Sequence, residues 1–368
     1  MSYLARVDAA LASVKSAQRY RSVAAQQVAG LIDFASNDYL GLATDPQVVQ
    51  ALRHATRAGS GGSRLLSGRH REHSLLEEEL AAFLGRERAL LFSSGYHAAL
   101  GAVVVLAGIA GSVLSDERNH ACLIDGIALA KVPRAIYPHV RPAAALRKPG
   151  DTLLVTESIF SMDGDRIAMD DVLTALRAGD VALIDEAHAI GVAGPGGAGV
   201  ARGFADPRIV VMGTLSKALG VHGGFVAGPA AVIELMVNRA RTFIFDTALP
   251  PALALAARVA LHVARLADDR RSRLQANVER LLQGLAALDV EQPVARCQGP
   301  IVALVLGSEE RAMQFSHHLL VRKIFAPAIR PPTVAPGSSR LRFSIRADHT
   351  PEHVDLLVKA LRECTGTS

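Results

Sequence analysis

Between Ala89 and Gly228 the chain repeats one unit: a short apolar run, then a stretch with helical spacing. The runs are ALLFSSG (89–95), SVLSD (112–116), AIYPH (135–139), DTLLVTES (151–158), VALIDEAH (181–188), RIVVMGTLS (208–216) and GGFVAG (223–228). Most lack the apolar–polar alternation of a strand with one wet face, so both faces must be covered. Helical stretches at 96–107, 121–130 and 170–177 supply that cover. The pattern predicts an α/β fold with a mainly parallel central sheet between helical layers. In such a sheet, ligand chemistry sits where strand C-termini open into loops. Ser94, Asp116, Glu157, Asp185 and Lys217 all fall at or just past such ends.

The flanks read differently. Leu4, Val7, Leu11 and Val14 have helical spacing, and LIDFASNDYLGL (31–42) reads as a short strand and a turn. Helices are expected at 46–57 and 74–84, the second opened by a capping box of Ser74 and Glu77. Helices follow Pro250–Pro251, and after Pro300 the runs IVALVLG and RLRFSIRA read as strands of a small α+β unit. The expected division is an N-terminal helix and arm (1–40), a large α/β domain (41–290) and a small C-terminal α+β domain (291–368).

Composition narrows the function. The chain has 368 residues, half of them hydrophobic, which is ample for a large core. The formal charge of +5 is spread along the chain and Trp is absent, which argues against a nucleic-acid or membrane partner. Three scattered cysteines without a CxxC spacing argue against a disulfide framework and a structural zinc site, and no metal is expected. The N-terminus lacks the apolar core of a signal peptide, and the longest apolar stretch, 98–110, is too short to span a bilayer. A cytoplasmic location is expected.

Several strand-end residues match the demands of pyridoxal 5′-phosphate (PLP): an imine-forming lysine, a carboxylate for the ring nitrogen, phosphate donors and a flat group over the ring. Lys217 lies in GTLSKALGVHGG between hydroxyls and glycines. Asp185 ends an apolar run, where a carboxylate is costly unless partnered, and His188 follows within reach of a ring hydroxyl. Ser93-Ser94-Gly95-Tyr96 opens a helix, whose N-terminus suits a phosphate. His120 could stack on the ring. Each residue alone also has a plain structural reading: a turn lysine, a capping carboxylate, a helix cap, a packed histidine. Two motifs are decoys. Asp185–His188 spells DEAH, but no GxxxxGK[ST] phosphate loop accompanies it. Gly194–Gly199 fits GxGxxG, but it contains Pro195 and starts well past its strand.

Assembled, these segments resemble the α-oxoamine synthases. FASNDYLGL, GSGGSRLLSG, HSLLEEELAAFLG, LLFSSGYHA, ESIFSMDGD, IDEAHAIGV, GTLSKALG and IRPPTVAPGSSRLRFS stand in that family's order over nearly the whole chain. The resemblance implies a fold-type I PLP-dependent transferase that joins an amino acid to an acyl thioester with loss of carbon dioxide. The IRPPTV…RLR stretch is most similar to the branch that uses L-alanine and a pimeloyl thioester, carried by coenzyme A or acyl carrier protein. It further implies a homodimer with active sites at the subunit interface. The implied roles are Lys217 as Schiff-base lysine, Asp185 at the ring nitrogen, and His188 and Ser161 near the ring hydroxyl. His120 would stack, and Gly95, Tyr96 and Thr214 would hold the phosphate, with Thr247 reaching in from a partner subunit. Arg342 would grip the amino-acid carboxylate, Asn37 would sit near the substrate, and Arg19 or Arg21 would meet the acyl group.

The chain departs from the family pattern at YHAAL, at Asp246 in FIFDTALPP, and in a short N-terminal segment. Period-2 alternation in RLRFSIRA puts Arg340, Arg342 and Ser344 on one face. From that alone, Arg342→Lys should impair alanine use and Arg340→Lys should do little.

Overall fold

A seven-stranded sheet organises the molecule, as a computed structural model that describes residues 1–17, 19–20, 30–145, 149–288 and 297–365. The N-terminal part holds α1 (Tyr3–Ser16), β1 (Ile32–Asp33), α2 (Pro46–Arg53) and α3 (Arg71–Leu84). The sheet region follows with β2 (Arg88–Phe92), α4 (Gly95–Ala110), β3 (Val113–Asp116), α5 (Ala121–Ala130) and β4 (Arg134–Tyr137). Next come β5 (Leu153–Glu157), α6 (Met169–Ala175), β6 (Val181–Asp185), β7 (Ile209–Thr214) and β8 (Gly224–Gly228). Helices α7 (Ala230–Arg239), α8 (Arg241–Ile244), α9 (Pro251–Arg265) and α10 (Asp268–Ala286) lead to the last region. That region is β9 (Ile301–Gly307), α11 (Glu309–Val321), β10 (Ile324–Phe325), β11 (Ala328–Ile329), β12 (Ser339–Ser344) and α12 (Pro351–Thr365).

The strand order of the large sheet is β2-β8-β7-β6-β5-β3-β4. Strand β8 runs antiparallel to both neighbours and the rest are parallel. Strands β3, β5, β7 and β8 are buried along their whole length, as their continuous apolar runs require. One face packs on α4, α5 and α7 through Ala98, Val103, Leu123, Ile233 and Met236. The other is covered by α6 and the 187–201 segment through Val172, Ala189 and Val200. Helix α4 is apolar nearly all round, as a buried helix must be, and Gly101 and Gly126 let it approach α8 and α5 closely.

A second sheet, β11-β12-β9, is antiparallel. Leu341 and Phe343 of β12 are fully buried in a core shared with α10, α11, α12 and α3. The arm joins this region rather than standing apart. Strand β1 pairs with β10, and Ser344 and Ala347 donate to the carbonyls of Phe34 and Tyr39 at 2.7 and 2.8 Å. The expected boundary at 290 falls outside the described residues. Among the described residues no helix is long and apolar enough to cross a membrane.

Two helix expectations need correction. The helix expected from Ser74 begins at Arg71, where the His70 N–H donates to His73 Nδ1 at 3.2 Å. Glu77 is no cap: it accepts two bonds from Arg64, at 2.9 and 3.0 Å, and one from the Leu91 N–H at 2.9 Å. Its better donors lie across the fold, where a local pattern cannot show them. The helix expected at 46–57 ends at Arg53.

Candidate active site

The parallel strands deliver their C-terminal residues to one edge of the sheet. Glu157 and Asp185 are register partners at the ends of β5 and β6, and Thr214 closes β7 beside them. Lys217 sits in the turn after β7, closed by a bond from the Gly220 N–H to the Lys217 carbonyl at 2.8 Å. Gly220 has φ +65°, and a Cβ there would lie 2.2 Å from the Ala43 nitrogen, so only glycine fits. These ends enclose a cleft of about 270 Å³. A larger furrow of about 580 Å³ lies between α2, α3 and α9, but its Arg258 is engaged by Glu72 and Glu79. The smaller cleft holds the convergent polar groups.

Seven of the expected residues line this cleft: Lys217, Asp185, His188, His120, Gly95, Tyr96 and Thr214. Lys217 Nζ donates to His188 Nε2 at 2.9 Å, and His188 Nδ1 lies 2.7 Å from the Tyr39 hydroxyl. Tyr39 in turn donates to Asn37 Oδ1 at 3.0 Å. With the Tyr39 hydroxyl proton directed to Asn37, a neutral His188 carries its proton on Nδ1 and accepts at Nε2. Burial pushes the His188 imidazole well below its usual range, with Lys217 adding to the effect. Burial also lowers the Lys217 amine, opposed by Asp185 and Glu157. Asp185 is raised by burial, opposed by Lys217, while one oxygen accepts from the Ala187 N–H at 2.8 Å. His120 caps α5 and is depressed chiefly by burial; its Nδ1 accepts from the Cys122 N–H at 3.2 Å.

Helix α4 points its N-terminus at the same cleft, capped by Ser94 Oγ, which accepts from the His97 N–H at 3.2 Å. A Cβ at Gly95 would stand 3.0 Å from Thr214 Cβ, and one at Gly224 2.4 Å from the Ser94 carbonyl oxygen. The helix start is therefore pressed against β7 and β8. The Tyr96 hydroxyl bonds Asp125.

Arg342 approaches from β12. Its Nε donates to the Ser161 carbonyl at 2.5 Å, one terminal nitrogen to Ser344 Oγ at 2.8 Å, and both terminal nitrogens to Asn37 Oδ1 at 3.2 Å. Ser161 stands behind the cleft: its carbonyl holds Arg342 and its N–H donates to Glu157 Oε2 at 3.2 Å. Arg340 is not an idle neighbour of Arg342. It is buried and bonds Asp163 at 2.5 Å, and Arg118 meets the other Asp163 oxygen at 3.2 Å.

Other expected residues lie away. Arg19 is 4.0 Å from Glu309 on α11, and Arg21 lies outside the described residues. Thr247 lines a neighbouring pocket with Ser93, Asp246 and Arg64. Asp246 there bonds Ser93 and sits 3.0 Å from His97 Nδ1, so two departures from the family pattern partner each other. The DEAH glutamate, Glu186, is a buried anchor that accepts from Ser158 Oγ and the N–H groups of Val200 and Ala201. The Gly194–Gly199 loop is a tight turn: Gly194 has φ +73°, and a Cβ there would meet the Gly199 carbonyl. Sequence reasoning missed Tyr39 and Cys122 and left Glu157 without a role. Glu157 carries the same signal as Asp185, a carboxylate ending an apolar run.

The family model described as aminotransferase class I and II matches residues 29–361. The chain belongs to this family. It is 46% identical to an 8-amino-7-oxononanoate synthase of Anaeromyxobacter dehalogenans over 348 residues, covering 91% of this chain and 87% of that protein. Its fold matches a serine palmitoyltransferase from S. paucimobilis with a bound PLP–myriocin aldimine, at TM-score 0.90 and 28% identity over 99% and 98% of the two chains. It also matches an 8-amino-7-oxononanoate synthase from Francisella tularensis, at TM-score 0.77 and 28% identity over 91% and 98%.

Proposed function

We propose that the protein is a PLP-dependent acyltransferase that condenses L-alanine with a pimeloyl thioester, yielding 8-amino-7-oxononanoate, carbon dioxide and free thiol, a step of biotin synthesis. One observation carries the reading: Lys217, Asp185 and the N-terminus of α4 line one cleft. The residues fit the cofactor. Lys217 offers an amine that burial keeps below its usual range, and Asp185 offers a buried carboxylate. The crowding at Gly95 and Gly224 leaves backbone where a side chain would block a phosphate. When bound, PLP supplies an electron sink for charge left on the amino acid's α-carbon.

The chain's own groups do the rest. Lys217 anchors the cofactor and moves the α-proton as general base and acid. Asp185 would keep the ring nitrogen of the bound cofactor protonated, and His188, held by Tyr39, would serve the ring hydroxyl together with Ser161. His120, which lines the same cleft, would cover the ring. Gly95, Tyr96 and Thr214 hold the phosphate, helped by Thr247 of a second subunit in a homodimer. Exposed Leu66 and Phe245, the latter beside Asp246 and Thr247, support such a partner surface. Arg342, steadied by Asn37, grips the amino-acid carboxylate. The free thiols of Cys122, Cys297 and Cys364 suit a reducing cytoplasm.

The test is a panel of amino acids crossed with acyl thioesters, on coenzyme A and on acyl carrier protein, read by thiol release. L-Alanine with a pimeloyl thioester should win. Preference for glycine or serine, or for a long saturated acyl chain, would move the protein to another branch of the family.

A further inference from the structure

Glu157 is the one carboxylate of the cleft that the proposed chemistry does not use. It ends β5 opposite Asp185 in register, so neighbouring parallel strands hold two carboxyls side by side. Both residues are nearly fully buried, at 2% and 4% exposed, and both line the cleft. The two oxygens of Glu157 are unlike. Oε2 accepts the Ser161 N–H, whereas Oε1 is buried with no hydrogen-bond partner. The His120 N–H faces the same carboxyl without reaching bonding geometry. Lys217 faces the pair from the turn after β7, with His188 and Arg342 beyond it and Cys122 beside His120.

An ionised oxygen in that position would be a buried charge without a donor. A carboxylic acid there needs only an acceptor, which a ligand in the cleft can be. Two carboxyls sharing one dry site do not both ionise, and the one with fewer donors takes the proton. We propose that Glu157 is a neutral carboxylic acid that offers its Oε1–H to the bound cofactor, leaving Asp185 as the sole anion matched to the ring nitrogen. Burial, with Asp185 next, drives Glu157 well above the usual carboxyl range, in keeping with this assignment.

The inference rests on the PLP reading of the cleft, and the experiment separates the two. Glu157→Gln keeps a neutral donor of the same shape, and Glu157→Ala removes it. The Kd for PLP should stay within roughly threefold of wild type in the glutamine variant and weaken about tenfold or more in the alanine variant, the loss of one hydrogen bond. Infrared difference spectra of wild type against Glu157→Gln, recorded with and without PLP at neutral pH, should show a protonated-carboxyl band that wild type alone carries. A carboxylate band in its place would overturn the assignment. So would a glutamine variant as weak as alanine, or an alanine variant that binds PLP as tightly as wild type. If wild type takes up no PLP, the reading of the cleft fails, and the unloaded infrared spectrum still decides the protonation of Glu157.

Discussion

Arg340 and Arg342 are two residues apart on one face of β12, yet they meet different partners. Arg342 is held by a backbone carbonyl, the Asn37 amide oxygen and the Ser344 hydroxyl, with no carboxylate against it among the described residues. Its charge is thus available to an anionic substrate. Arg340 already has its anion, Asp163. Arg342→Lys should raise the KM for L-alanine and lower kcat/KM by roughly ten- to a hundredfold, since a lysine cannot reproduce a two-pronged grip worth ~1.5–3 kcal/mol. PLP absorbance should be unchanged, and wild-type kinetics would place the carboxylate site elsewhere. Arg340→Lys should lower the unfolding midpoint instead, because it disturbs a buried pair. Sequence alternation found the shared face. It could not find Asp163, which is 177 residues away.

At the scale of elements, single side chains tie one piece of the fold to the next. Glu77 on α3 joins Arg64 to β2 through the Leu91 N–H. Glu77→Gln should cost ~1.5–3 kcal/mol in urea unfolding with an unchanged m-value, as charge-assisted bonds to Arg64 are lost. An unchanged midpoint would show the pair to be solvated. His139 follows β4 and bridges Asp116 at the end of β3, at 2.9 Å, to Asp165, at 2.6 Å. Burial alone would depress its imidazole, but the two carboxylates prevail and push it up to about 9. The folded value is raised above the unfolded one, near 6.5. This contribution is therefore fully present below about pH 6.5 and is lost as pH rises through about 9. Wild type should lose ~2–3 kcal/mol between pH 6 and 10 relative to His139→Gln, measured by urea unfolding at each pH. Parallel pH profiles would refute the bridge. The strands themselves were readable because doubly covered strands must be apolar throughout. The start of α3 was not, because the partners of Glu77 lie across the fold.

The whole molecule builds its site from three stretches of chain. The large sheet brings Glu157, Asp185, Thr214 and Lys217 to one edge; the arm brings Asn37 and Tyr39; β12 brings Arg342. The first set was legible, because strand ends can be counted along a sequence. Tyr39 was not, since its role depends on β1 pairing with β10 nearly three hundred residues on. Thr247 lines a separate pocket with Ser93 and Asp246 rather than the cleft. The most direct test of the account is chemical. The PLP-loaded protein is treated with borohydride, digested and mapped by mass spectrometry. The account predicts one pyridoxyl group, on the peptide containing Lys217, and none in Lys217→Ala. A label fixed on any other lysine of the wild-type protein would contradict it.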